Sequence, residues 1–274
     1  MFNYLKRSIQ RKIARRVTKE YPIRIDTFNL KEYGAIQFAN WENPLTVKKE
    51  IDQQYLHFFR RFLQEGDFSI DIGANIGHMT VPLSLICGNN GLTLAFDPNP
   101  YVFKILEKNA ELSSKSGNIK PFNVAITDQD DEFYYNSSDA SFNNGGISRD
   151  QINRHGKYSL SKKIQGINLE KFLDQHFPEW LLKMRLIKID TEGYDKEIIR
   201  SISKLLDKYH PVVISECFGK STPEDRFEHF ELLKSRGYSL FYFRDFKEDT
   251  EIVEINTKED MLKWKHFDFY AIKE

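Results

Sequence analysis

Phe68-Ser-Ile-Asp-Ile-Gly-Ala-Asn-Ile-Gly77 runs as a short apolar strand, Phe68–Ile72, into a glycine turn and then into a helix over about 78–86. Glycines at 73 and 77 let the backbone turn tightly and approach a ligand closely at the mouth of that helix. The spacing is not the G-x-G-x-x-G of dinucleotide binders, because Asn75 holds the third position and the helix-entry glycine follows two residues later. Working outward, a second strand, Leu92–Phe96, ends at Asp97-Pro98, and a helix over Tyr101–Leu112 carries Pro100 in its first turn. Ile119–Ile126 reads as a third strand and Leu186–Ile189 as a fourth, flowing into a helix over Lys196–Leu206. Val212–Ser215 is a fifth, followed by a helix over Phe227–Leu233 and two closing strands, Leu240–Phe243 and Phe267–Ile272. Strands alternating with helices predict an α/β fold, a parallel sheet with helices on both faces.

The 274 residues suffice for one such domain with embellishments. No window approaches the ~18 apolar residues of a membrane-spanning helix. The first residues also lack the apolar core and small-residue cleavage site of a secretory signal, so a cytoplasmic protein is expected. Cys87 and Cys217 sit in apolar runs without C-x-x-C spacing and are expected as buried free thiols. The formal net charge is zero, but Lys6, Arg7, Arg11, Lys12, Arg15, Arg16 and Lys19 face only Glu20 within residues 1–20. Phe2, Leu5, Ile9, Ile13 and Val17 recur there at three- and four-residue spacing, which predicts a basic amphipathic helix. Such a helix either lies on an anionic membrane surface or a partner, or packs its apolar stripe on the body.

Short strands at Ile23–Leu30 and Ala35–Phe38 follow, and Val47–Leu63 reads as a helix with Ile51, Tyr55, Phe58, Phe59 and Phe62 on one face. Residues 1–50 thus form a leading segment and 51–274 the main domain. Within the latter, the polar excursion at about 130–166 reads either as a substrate-side lid or as a floppy insertion.

Three clusters carry chemistry. The glycine turn is the first, with Asp71, Gly73, Asn75 and Gly77. Asp97 is the second: it stands at a strand tip about 20 residues on, where an acid can hold the two hydroxyls of a ribose. Asp97-Pro98-Asn99-Pro100 is also good turn chemistry, so a capping role competes. Asp128, past the third strand, is placed either to accept from an adenine amino group or to act as a plain loop carboxylate. The third cluster is Lys188-Ile-Asp-Thr-Glu-Gly-Tyr-Asp195. Strand alternation points Lys188 and Asp190 to one face. A lysine in a central strand needs a partner, and Asp71 and Glu216 are the candidates. Either the cluster is salt-bridged support, or Lys188, Asp190, Glu192 and Glu216 surround a reacting group. His78 and His155 are lesser candidates for a base. No cysteine, histidine and acid spacing marks a metal site, although a carboxylate pair holding Mg²⁺ stays open.

Four blocks, Phe68–Gly77, Leu94-Ala-Phe-Asp-Pro-Asn-Pro100, Asn123-Val-Ala-Ile-Thr-Asp128 and Ile187-Lys-Ile-Asp-Thr-Glu-Gly-Tyr194, together resemble the FkbM-type methyltransferases over about residues 55–245. The resemblance implies a Rossmann-like class I methyltransferase fold, a seven-stranded mostly parallel sheet with an antiparallel last strand. It implies S-adenosyl-L-methionine as cofactor and transfer to a hydroxyl, often on a sugar or a polyketide. The family usually carries Glu where this chain has Asp97. Acceptors of other kinds (an amine, a protein side chain, RNA) and a non-catalytic nucleoside-binding module are the competing readings. The body shows no basic stripe for nucleic acid.

Overall fold

The computed structural model describes residues 2–151 and 156–273. Helix α1 (Phe2–Ala14) leads into a hairpin of β1 (Ile23–Leu30) and β2 (Gly34–Trp41). The helix expected over 47–63 is shorter. It is α2 (Gln53–Phe59), started by the Asp52 carboxylate accepting from the Gln54 amide at 3.0 Å. Then come β3 (Phe68–Ile72), α3 (Thr80–Cys87), β4 (Leu92–Phe96), α4 (Pro100–Ser113) and β5 (Ile119–Phe122). The strand expected over 119–126 is two strands. Beyond Asn123, β6 (Ala125–Thr127) leaves for a second sheet.

The excursion at 130–166 is neither a plain lid loop nor a floppy insertion. It folds as β7 (Asp131–Ser137), β8 (Gly145–Ser148), β9 (Tyr158–Ser159) and β10 (Ile164–Asn168). These form a small sheet in the order β6-β10-β7-β8, with β9 also on β7. Its polar composition misled the reading because buried polar groups there bond one another. The Asp139 carboxylate accepts from the Ser141 hydroxyl at 2.5 Å and from the Ser141 amide at 2.9 Å.

The chain continues with α5 (Leu169–His176), β11 (Met184–Ile189), α6 (Asp195–Ser201), α7 (Ser203–Tyr209), β12 (Val212–Cys217) and α8 (Pro223–Lys234). The helix expected over 196–206 is therefore interrupted at Ile202. Strands β13 (Ser239–Phe243), β14 (Ile252–Ile255) and β15 (Phe267–Ile272) close the fold.

The main sheet has the order β14-β13-β15-β12-β11-β3-β4-β5. Strands β12, β11, β3, β4 and β5 are parallel, and the last strand, β15, is antiparallel to β12. The strand count corrects the expected seven to eight, because Ile252–Ile255 adds an edge hairpin to β13. One face of the sheet packs Ile187, Ile189 and Val213 against Leu173, Ile198, Leu206 and Phe230 of the helices. The other packs Leu186, Ile214 and Tyr270 together with Phe38, Phe58, Val81 and Leu83, so the hairpin shares a core with α2 and α3. Asn109 of α4 ties the hairpin down, accepting from the Ala39 amide at 2.6 Å and donating to the Ala39 carbonyl at 3.0 Å. Pleating then places Lys188, Asp190 and Glu216 on the face of Leu186 and Ile214. Both cysteines are buried and free.

Candidate active site

The glycine turn lies at the carboxyl end of β3, hung on its neighbour by amides of Gly73 and Ala74 donating to the Phe96 carbonyl at 2.9 and 3.0 Å. Gly73, Asn75 and Gly77 all take positive φ, 77°, 51° and 90°. At Gly73 the requirement is also steric: a Cβ would lie 1.9 Å from the Asp190 carbonyl oxygen. The turn and the acidic loop after β11 are therefore packed backbone to backbone.

Asp97 closes the turn from the tip of β4. Its carboxylate accepts from the Asn75 and Asn99 amides, both at 2.8 Å, and the residue is 7% exposed. Burial pushes its carboxyl up to about 7, the two amides pull it back only in part, and the charges of Asp71 and Asp190 add to the rise.

Behind the turn, Asp71 is 0% exposed and accepts from the Thr80 hydroxyl at 2.6 Å. The Lys188 ammonium lies 3.3 Å from both the Asp71 and the Asp190 carboxylates. Burial opposes its charge, yet Asp71, Asp190 and Asp268 hold the ammonium well above the usual lysine range. The expected pair with Asp71 is present, whereas Glu216 is not within salt-bridge distance of Lys188 among the contacts formed. Asp190 turns outward, with 42% of its side chain exposed. Glu192 follows at the rim in a left-handed conformation, φ 53°. Partial loss of water raises its carboxyl, the Asp190 charge raises it further, and Lys220 offsets some of this.

Asp195, at the start of α6, accepts from the Thr191 hydroxyl at 3.0 Å and the Gly193 amide at 3.2 Å through one oxygen, while Oδ1 has no partner. Burial, then the Asp190 charge, pushes it up to about 7. Glu216, the last residue but one of β12, lies opposite Asp268 of β15. Its carboxyl is raised by burial and then by Asp190, Asp195, Asp268 and Glu192.

The remaining expected residues are placed apart from this cluster or behind it. Asp128 is exposed at the end of β6. His78 packs edge-on against Tyr55 and Phe38, with Nε2 2.9 Å from the Glu50 carbonyl. Burial pushes it down to about 4, so it is a neutral packing residue. His155 lies outside the described residues. Tyr135, which the sequence reading missed, reaches the site from the insertion: its buried phenol is raised by desolvation and then by the charges of Asp97 and Glu192. Phe142 from the same insertion stacks on Tyr101 at 5.4 Å, and its carbonyl accepts from the Asn99 side chain at 2.7 Å. The alternation of Phe133 and Tyr135 in an otherwise polar run was the available signal.

The mouth thus gathers Asp97, Asp190, Glu192, Asp195, Glu216 and Asp268 around one buried cation. That donor set suits a positively charged sulfonium ligand with ribose hydroxyls to be accepted. Among the described residues, no three His, Cys, Asp or Glu side chains converge as metal ligands.

A family model for the methyltransferase FkbM domain matches residues 71–240. The hexuronic acid methyltransferase AglP of Haloferax volcanii is 23% identical over 214 residues, which is 77% of this chain and 75% of that protein. Among solved structures, a methyltransferase FkbM from Methylobacillus flagellatus aligns at TM-score 0.46 and 11% identity, covering 79% of this chain and 50% of that one. An S-adenosylmethionine-dependent O-methyltransferase from Thermotoga maritima aligns at 0.44 and 13%, covering 90% and 77%.

Proposed function

The chain belongs to the FkbM methyltransferase family and is an S-adenosylmethionine-dependent methyltransferase; from that premise we propose that its acceptor is a hydroxyl of a sugar, probed first on hexuronic acids. The observation that carries this is the outward-facing Asp190 and Glu192 pair, with Asp190 anchored by Lys188 and its backbone seated on Gly73. The hexuronic acid named for the Haloferax relative supports a sugar acceptor.

The cofactor supplies a methyl group on a sulfonium, ready for in-line displacement. Asp97 would hold the ribose hydroxyls through its remaining lone pairs, and Asp128 would be the adenine-side acceptor. Asp71 fixes Lys188, and Lys188 fixes Asp190. Asp190 and Glu192 hold the acceptor hydroxyl and take its proton, a contribution of about 10²-fold or more. Holding donor and acceptor in line supplies much of the rest. As the group held against Asp190 and Glu192, a hydroxyl fits better than a carboxylate, which would meet like charge there, so a uronic carboxylate would face away from the pair; a phosphate-rich RNA fits worse still. Residues 51–274 carry the chemistry in this reading, and the insertion at 130–166 acts as a structured wall on the substrate side through Tyr135.

Purified protein with isotopically labelled cofactor, hexuronic acid glycosides, neutral hexose glycosides and sugar amines is the test. A methyl label on a sugar that survives mild alkali is expected. Label released by mild alkali would mark a carboxyl ester, and label confined to amines would overturn the hydroxyl reading.

Residues 1–20 add a proposal about where the acceptor is met. Over its described part the apolar stripe is open to solvent, with Ile9, Ile13 and Val17 55%, 43% and 50% exposed, although Ala14 is buried. The helix is held instead through its backbone and a basic side chain. The Arg15 carbonyl accepts from the Ala140 amide at 3.3 Å, and Arg11 donates to the Pro44 carbonyl at 3.2 Å. An exposed apolar stripe flanked by seven cations suits an anionic membrane surface, and Ala140 belongs to the insertion beside the site. Among the described residues, no helix is long and apolar enough to cross a membrane.

A further inference from the structure

We propose that His266 is a positioning residue that fixes Glu216 by one oxygen and leaves the other to meet a hydroxyl of the acceptor sugar. The proposal rests on the sugar-acceptor reading above.

The His266 tautomer follows from its neighbours. The Gly219 amide donates to Nδ1 at 3.2 Å, so that nitrogen is an acceptor and the ring proton sits on Nε2. Nε2 lies 3.0 Å from Glu216 Oε1 and donates to it. The ring stands edge-on to Phe218 at 6.0 Å, and a Cβ on Gly219 would come within 3.2 Å of the His266 Cβ. The imidazole is therefore held from two sides while 54% of it stays exposed at the rim. It cannot pass a proton along from Glu216, because both ring nitrogens are already committed.

Glu216 itself is only 11% exposed, and its Oε2 is buried without any hydrogen-bond partner. A buried polar atom left so is costly unless something completes it. The groups facing it, Asp190, Glu192 and Asp195 after β11 and Asp268 on β15, are all acids, and none lies within hydrogen-bond distance of Oε2. Among the described residues the buried lysine and arginine are spent elsewhere, Lys188 on Asp71 and Asp190 and Arg226 on the Met261 and Trp264 carbonyls. In this proposal the ligand supplies the missing partner. A hydroxyl is the best match, because it can donate to a carboxylate or accept from a carboxylic acid, and this acidic neighbourhood favours the protonated form. By the pleat, Glu216 shares its face with Asp190, so the hydroxyl it meets belongs to the same bound sugar.

The test uses methyl hexuronides, intact and with one hydroxyl at a time replaced by hydrogen, on the full chain and its variants. His266→Ala should lower kcat/KM on the intact sugar by about tenfold, the worth of one hydrogen bond, chiefly through KM. The loss should vanish on one deoxy sugar, and His266→Gln, which still presents an N–H, should recover most of it. An equal loss on every analogue, or no loss on any, overturns the proposal while the sugar reading stands. Absence of methylation on every hexuronide and every neutral hexose glycoside overturns both. Nitrogen-15 NMR of the ring gives an activity-free check. An Nε2–H tautomer that Glu216→Gln disturbs is expected, and an Nδ1–H tautomer refutes the role.

Discussion

Replacing Lys188 by methionine removes the one cation from the interior of the acidic face while keeping its volume. In the native protein its ammonium lies 3.3 Å from Asp71, whose side chain is 1% exposed, and 3.3 Å from Asp190, which is 42% exposed. The Asp190 contact is screened by water and counts for little in stability. The Asp71 contact is the costly one to lose, because a buried carboxylate would keep only the Thr80 hydroxyl at 2.6 Å as partner. Breaking a buried pair on one side costs about 3–5 kcal/mol. For a chain of this length that is roughly 6–20 °C of melting temperature, at about 2–4 °C per kcal/mol. The folded-state lysine is raised above its ordinary 10.5, so its stabilisation is fully present below that value and is lost only as pH rises beyond it. Thermal and urea melts at pH 8 therefore read the whole effect. Asp71→Asn combined with Lys188→Met should recover much of the loss, since neither charge is then stranded. A Lys188→Met protein within about 1 kcal/mol of wild type, or a double variant no better than the single, would show that the pair is not what holds this face.

The other expectations concern the ligand side. Asp97 is raised from 3.8 to about 7, so its contribution to apo stability is present below 3.8 and lost as pH rises through about 7. Cofactor hydroxyls need its charged form, so calorimetric affinity should rise about tenfold per pH unit up to that point and then level off. A flat profile from pH 5.5 to 8.5, or one that Asp97→Asn leaves unchanged, would remove Asp97 from the ribose. Asp190→Asn and Glu192→Gln should each slow turnover by about 10²-fold or more with cofactor affinity nearly kept; near-native rates in both would relegate the pair to structural support. EDTA should leave activity unchanged, and complete loss restored by Mg²⁺ would make the same carboxylates metal ligands. Deleting residues 1–20 should abolish sedimentation with anionic liposomes at low salt while sparing activity on a soluble sugar. Indifference of the full chain to such liposomes would end the membrane proposal.

Much of this molecule was legible from local pattern. Apolar runs closed by Gly73-Ala-Asn-Ile-Gly77 and by Asp97-Pro98 are short-range signals, and the two strands they close, Phe68–Ile72 and Leu92–Phe96, fell where they placed them. The pairing of Lys188 with Asp71 was readable too, because a lysine in a buried strand must find a carboxylate and the turn strand carries one. What escaped depends on residues far apart in the chain. The split of residues 119–126 between two sheets was decided by pairing of Ala125–Thr127 with Gly166–Asn168, some 40 positions on. The polar excursion became a sheet because Asp131–Ser137 pairs with Gly145–Ser148 and with Ile164–Gly166, and because Ser141 accepts from Asn43, 98 positions back. His266 reaches Glu216 solely through the antiparallel register of β12 and β15, which sets Cys217 opposite Phe267. Likewise, periodicity alone placed an apolar stripe on α1, but whether that stripe is covered or exposed is a property of the surface it meets. Local sequence determines which backbone conformations are cheap, while contacts between distant segments determine which polar groups find partners. For that reason the glycine turn was evident from the chain alone, and the set of groups gathered around it was decided by the tertiary structure.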